Sequence, residues 1–319
     1  MSYVTQFRTN ITGELQYQSL LERVILSTVT TVPCCVFLFI NGTMLFSLRS
    51  KPVFRETSRY ILLYNLLFAD TVQLVHSQVM YILAACRIML TYPVCGVLTM
   101  IANLTTVISP LTLVVMSLER YVAVCYPLRH ATIITIRNTG VAITVVWAFS
   151  SLNVLTQVLL LLNFPFEELQ SLQMKDFCSY TAMIFRPVSD HYNKAYTCFV
   201  FVSVCVVITS SYIGVMVAAR SASTDKASAH KARNTLLLHL LQLVLSLSSN
   251  IYNPIFTALS RTVSRIVFVR MQNVFYVCIV IFPRCLSSLI YGIRDQTIRP
   301  VLMHHLCCGL KLSVAPVKA

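Results

Sequence analysis

Seven stretches of the chain carry almost no charge: Val24 to Leu48, Tyr60 to Cys86, Ile88 to Leu118, Asn138 to Phe166, Ala195 to Ala219, Asn234 to Ser260 and Met271 to Ile293. The shortest has 23 residues and the run from Ile88 to Leu118 has 31. About 20 apolar residues in a helix cross the hydrocarbon of a bilayer, so each run predicts one membrane-spanning helix with some tilt. The expected fold is an all-α membrane protein, a seven-transmembrane helix bundle. Two charges alone interrupt the runs, Asp70 in the second and Arg284 in the seventh. Composition agrees, with 56% hydrophobic and 11% charged residues.

The polar connections set the orientation. The side that holds Arg49, Lys51, Arg55 and Arg59 carries fifteen Lys and Arg against nine on the other, a net charge of about +11 against about +3. The positive-inside rule places the richer side in the cytoplasm and the amino terminus outside. The formal charge of +14 is then a topology signal, and no soluble domain is left to present a basic face to nucleic acid. Residues 1–22 are polar and the first run is too long for a signal-peptide core, so no cleavable leader is expected. The chain divides into an outer tail (1–23), a membrane domain (24–293) and an inner tail (294–319). Asn10-Ile11-Thr12 is a glycosylation sequon in the outer tail, whereas those at Asn41 and Asn103 fall inside helices.

Depth counting locates a polar layer. Asn41 precedes Arg49 by eight residues, about 12 Å of helix, and Asp70 follows Arg59 by eleven, about 16 Å. Ser109, eleven residues before Arg120, and Arg284, ten before Arg294, reach the same depth. Arg284, Ser287, Ser288 and Tyr291 have three- and four-residue spacing, so they share one helix face. A lone carboxylate at that depth requires a partner. This predicts a buried Asp70–Arg284 ion pair; the alternative is a protonated Asp70 with Arg284 turned to a carbonyl or water. Glu119 and Arg120 end the longest run and are expected at a helix end, where Arg120 can lie against Glu119 or be released to another partner.

The string from Met116 to His130, MSLERYVAVCYPLRH, resembles the third-helix signature of class A G-protein-coupled receptors in the variant carried by odorant receptors. Trp147 in the fourth run and Ser211-Tyr212 near the end of the fifth are similar to the same family. The segment Lys231 to Leu240 resembles its sixth-helix pattern at Lys231, Ala232, Thr235, His239 and Leu240. Ser287 to Tyr291 matches in part: Tyr291 is kept, the usual Asn-Pro is absent, and Pro283 is left to supply a kink. Glu119 in place of Asp, with a single cysteine in the second outer loop, looks like the fish type. The resemblance covers Asn41 to Cys308.

The resemblance implies a plasma-membrane odorant receptor that binds a small odorant and activates a heterotrimeric G protein, of the stimulatory type. The switch and coupling residues would be Glu119, Arg120, Tyr121, Arg129, Tyr212, Lys231 and Tyr291. Ligand positions would lie in the outer half at Ala102, Asn103, Thr106, Tyr196, Val200, Asn250, Ile251, Tyr276 and Val280, and Ala102 at the position of the amine-receptor Asp disfavours a biogenic amine. Asn41, Asp70, Ser109, Arg284 and Ser287 would form the buried layer, with Arg284 in place of the family's sodium ion. Cys95 opens the third run and Cys178 is the lone cysteine of the outer segment 167–194, a pairing that suits an oxidising compartment and matches the family's bridge. After Tyr291 the segment Gly292 to Leu306 predicts a short amphipathic eighth helix on membrane lipid, ending at Cys307-Cys308, which are either palmitoylated or unmodified. No cofactor or metal is expected.

Other classes fit less well. A retinal protein needs a buried Lys in the seventh helix, which holds only Arg284. Transporters show broken helices, internal repeats and several intramembrane charges. No nucleophile, base and orienting group converge as an enzyme requires. The remaining alternative is a class A receptor for a non-odorant chemical, which shares every mechanical residue and differs in the pocket.

Overall fold

The computed structural model describes residues 20–163, 172–174, 178–179, 181–222, 240, 241, 244, 248, 271, 274–295 and 297–306, with the backbone alone at 20–23, 181, 219–222, 285–287, 291, 293, 294 and 306. Most of the sixth run lies outside these residues, as do Asn10, Lys231, Asn250, Ile251, Cys307 and Cys308. The helices are α1 (Leu20–Ser50), α2 (Ser58–Ala85), α3 (Tyr92–Cys125), α4 (Ile136–Leu162), α5 (Pro187–Ala222), α6 (Phe282–Arg294) and α7 (Ile298–Leu306), with short helical turns at Pro52–Arg55 and Pro127–Ile133. Helices α1 to α5 are each long and apolar enough to cross a membrane. In hydrocarbon every backbone amide must find its partner within the segment, and a continuous helix meets that demand.

Charge-free runs and helices differ at their ends, for identifiable reasons. Helix α3 starts later than its run because Pro93 is placed in the first turn, where a missing N–H costs nothing. The residues ahead of it pair with the loop before α5 through Tyr92 N to Leu172 O (3.0 Å) and Met174 N to Leu90 O (3.0 Å). At its other end α3 does not stop at Glu119 and Arg120, as the run implied, but continues to Cys125. Glu119 is buried, so the charge marks an interior position nearly two turns short of the true end. Helix α5 begins at Pro187, well before its charge-free run, and carries Asp190 and Lys194 as an i,i+4 ion pair on its first turns.

Helix α3 is the centre, packed against α2, α4 and α5; α1 packs on α2, α6 and α7. The residues facing inward are often polar while large apolar ones face out. Asn41, Asp70, Gln73, Thr105, Ser109 and Gln157 are buried, whereas Phe39, Phe46, Val97 and Leu152 are exposed. That distribution suits a lipid solvent, in which burying an alkyl chain gains little and pairing a polar one gains more. In α4 the buried Val146, Ser150, Asn153 and Gln157 form one stripe at helical spacing toward the bundle.

The two ends of the bundle differ in how they are held. At one end Cys95 of α3 is joined to Cys178 by a disulfide with the Cα atoms 5.6 Å apart, within a buried cluster of Met174, Ala182 and Met183. At the other, Met44, Leu63, Met116, Ile298 and Leu302 belong to one apolar cluster shared by α1, α2, α3 and α7, in which α7 packs on α1. A π-helical turn at Tyr276–Ile281 precedes α6. It lies directly ahead of Pro283, which has no N–H to donate and whose ring would crowd a regular α turn, so the wider turn accommodates it.

Candidate functional site

The structure brings Asp70, Ser109 and Arg284 of the expected polar layer together. Asp70 accepts from Ser109 Oγ (2.7 Å) and from Arg284 Nη1 (3.4 Å), and all three side chains are buried. The Asp70–Arg284 pair thus joins α2 to α6, with α3 supplying a second donor. Ser288 Oγ donates to Asn41 Oδ1, tying α6 to α1. Ser287 has only its backbone described. Removing either charge would leave the other desolvated and uncompensated, a cost of about 3–5 kcal/mol.

Further polar contacts extend the layer. Asn65 Nδ2 donates to Thr112 Oγ1 (2.9 Å), and Trp147 Nε1 donates to Asn65 Oδ1 (2.9 Å), so one amide links α2, α3 and α4. Trp147 therefore both packs against the cluster of Ala69, Ile108 and Val146 and donates a hydrogen bond. Thr105 Oγ1 donates to Gln73 Oε1 (2.6 Å) nearer the disulfide end.

At the opposite end Arg120 Nε lies 3.6 Å from Glu119 Oε2. His130, on the helical turn after α3, approaches the other carboxylate oxygen with Nε2 at 3.9 Å. Arg120 also lines a small open cavity of about 30 Å³ with Ser117, Ile208, Ser211, Tyr212 and Leu240. Tyr212 of α5 and Arg120 thus face the same space, while Tyr291 has only its backbone described. Tyr121 stands edge-on to Tyr126 with ring centroids 6.0 Å apart. A Cβ at Gly214 would fall 2.5 Å from the Tyr121 ring, so only glycine lets α5 come this close to α3. Arg129 is exposed on the turn Pro127–Ile133.

Asp295 fastens α7. Its Oδ1 accepts from the backbone N–H of Thr297 (2.9 Å) and Ile298 (3.2 Å), an N-terminal cap, while Oδ2 lies 3.3 Å from Arg59 Nη2. Tyr60 Oη donates to the same carboxylate at 3.3 Å. At the other end of α7, His305 Nδ1 and Ser47 Oγ are 2.9 Å apart.

The proposed ligand positions fall into two groups. Asn103 Nδ2 donates to Gln157 Oε1 of α4 (2.7 Å), Thr106 Oγ1 donates to the Ala102 carbonyl (2.8 Å), and Tyr196 stacks on Phe149 and Tyr192. Val200 is packed in the apolar cluster with Val204 and Ile208. On the seventh run, Tyr276 stacks on Tyr81 of α2 with centroids 5.5 Å apart, and Val280 is half-buried on the same π turn.

With this geometry in place, comparison with known proteins decides the family. The profile of the 7 transmembrane receptor (rhodopsin family) matches residues 40–291. The chain is a rhodopsin-family receptor. Odorant receptor 131-2 of Danio rerio is 32% identical over 86% of this chain and 84% of its own length. Olfactory receptor 4K15 of Homo sapiens is 25% identical over 77% of this chain and 75% of its own. Membership makes the receptor a multi-pass plasma-membrane protein and a signalling protein rather than an enzyme. The receptor's Gln157, His130 and Asp295 were not singled out from sequence. Asn153 and Gln157, the two side-chain amides four apart within the fourth run, carry a signal of one inward face.

Proposed function

We propose that the chain is an odorant receptor that binds a small molecule in the disulfide-end half of the bundle and activates a heterotrimeric G protein at the Arg120 end. The observation that carries this is the Glu119–Arg120 contact beside a cavity shared with Tyr212, in a chain whose relative of 32% identity is named an odorant receptor. Ligand binding shifts a two-state equilibrium toward a form in which Arg120 leaves Glu119 and meets Tyr212 and Tyr291, with Tyr121, Arg129 and Lys231 at the coupling surface. The G protein is of the stimulatory, cAMP-raising type. Ala102, Asn103, Thr106, Tyr196, Val200, Asn250, Ile251, Tyr276 and Val280 face the ligand.

Residues 24–293 are the receptor domain, in seven spans with the amino terminus outside. Residues 1–23 form the extracellular tail, glycosylated at Asn10. Residues 294–319 are cytoplasmic, with α7 lying on inner-leaflet lipid and palmitate on Cys307 and Cys308. The test is an odorant panel with a cAMP readout in cells expressing the receptor and its Arg120→Ala variant at matched surface levels. The reading requires at least one agonist and its loss in the variant; an undiminished agonist response in Arg120→Ala defeats it.

A further inference from the structure

Glu119 places one buried carboxylate between two groups that can balance its charge. Arg120 Nε lies 3.6 Å from Oε2, and His130 Nε2 lies 3.9 Å from Oε1. A guanidinium keeps its charge at every physiological pH, whereas an imidazole gains or loses its proton between about pH 5 and 8. One of the two holds on Glu119 is therefore permanent and the other depends on a proton. Nε2 of His130 is buried and makes no hydrogen bond, so the Glu119 oxygen is within ion-pair reach once the ring is charged. The side chain as a whole is 36% exposed, which leaves a path for the proton.

The main chain fixes the ring in this place. The turn Pro127–Ile133 opens on a proline, whose missing N–H costs nothing in a first turn. Arg129 N donates to the Tyr126 carbonyl (3.0 Å) and Ile134 N donates to the His130 carbonyl (2.8 Å), so the backbone is bonded on both sides of His130. The other charged or titratable groups nearby are engaged elsewhere or face solvent. Arg129 is exposed, Arg59 of α2 is held by Asp295, Tyr121 stands against Tyr126, and Cys125 Sγ donates to the Gly214 carbonyl. Among the described residues Glu119 is the acid in ion-pair range of His130.

We propose that His130 is a positioning residue of the switch, acting through Glu119. Protonated, it takes a share of the carboxylate, and its positive charge repels the neighbouring guanidinium, so Arg120 is held less firmly. Neutral, it leaves Glu119 to Arg120. The pairing of the charged ring with Glu119 is present below the range in which imidazole titrates and is lost as pH rises through it, so acid favours the released form of Arg120. The effect on signalling rests on the receptor reading, whereas the proton-dependent pair itself does not.

The experiment uses the full chain in nanodiscs with a purified stimulatory heterotrimer. Nucleotide exchange is measured at about pH 6 and about pH 8, with the exchange of the heterotrimer alone subtracted. The wild-type chain should catalyse exchange about twofold to fivefold faster at the lower pH, the size expected of a half-exposed ion pair. His130→Gln should show the slower rate at both, and His130→Lys the faster rate at both. A purely structural role would change the rates without flattening the profile.

A double-mutant cycle of Glu119→Gln and His130→Gln, read as unfolding temperature, tests the pair without any signalling. Coupling should be present at about pH 6 and absent at about pH 8. A wild-type pH profile in His130→Gln, or no coupling at the lower pH, overturns the proposal. Coupling at the lower pH in a chain that promotes no exchange at either pH would keep the proton-dependent pair and remove the receptor reading.

Discussion

The disulfide end and the Arg120 end of the bundle are built from different kinds of bond. At the first, a covalent crosslink, an apolar cluster and backbone pairing between the entry to α3 and the loop before α5 fix the geometry. At the second, the contacts made by charged groups are exchangeable: Glu119 with Arg120 and His130, and Asp295 with Arg59, Tyr60 and two backbone amides. The Asp70–Arg284 layer lies between them. A crosslinked end can hold a fixed shape, whereas ion pairs set around an apolar cluster can be exchanged between two arrangements of similar energy. This is the division that the proposed function requires, with recognition at the first end and switching at the second.

Breaking the middle layer should have the largest effect. Asp70→Ala or Arg284→Ala removes the buried counter-charge of the other residue, each costing about 3–5 kcal/mol; thermal unfolding of the purified receptor should show the loss, and exchanging the two residues should recover part of it. Next comes Cys95→Ser, which opens an 83-residue separation and should cost about 2–5 kcal/mol, read as lost surface expression and a lower unfolding temperature. An unaltered unfolding temperature would remove the covalent half of the contrast. Asp295→Ala deletes a cap and an ion pair together, about 1–2 kcal/mol, and should release α7 as increased amide exchange at Thr297 and Ile298 with little change at the disulfide end. The smallest energetic effect belongs to Glu119→Gln. It should leave stability nearly intact yet raise basal cAMP several-fold by freeing Arg120; a basal signal at the wild-type level would place the resting constraint elsewhere.

How much of this was legible depended on whether distance along a helix determines the contact. Asp70, Ser109 and Arg284 were brought together by counting residues from basic boundaries, because a rigid rise per residue converts sequence into depth. Glu119 defeats the same reasoning: a charge closing an apolar run implies a helix end, yet this charge is buried and α3 runs on to Cys125. Contacts that depend on rotation about the helix axis were harder. Gln157 meets Asn103, and Asn65 meets both Thr112 and Trp147, through the relative turn of three helices, which an almost uniformly apolar sequence such as α4 specifies only through a few polar positions. Asp295 was hidden differently, as its role arises where the chain folds back and places a cap beside Arg59.

The amide of Asn65 is occupied on both sides, receiving from Trp147 and giving to Thr112. Sliding any one of α2, α3 and α4 along another would strand a donor or an acceptor in hydrocarbon. These three helices therefore behave as a stator, and the moving parts of the machine must be sought among the helices that this side chain does not clasp.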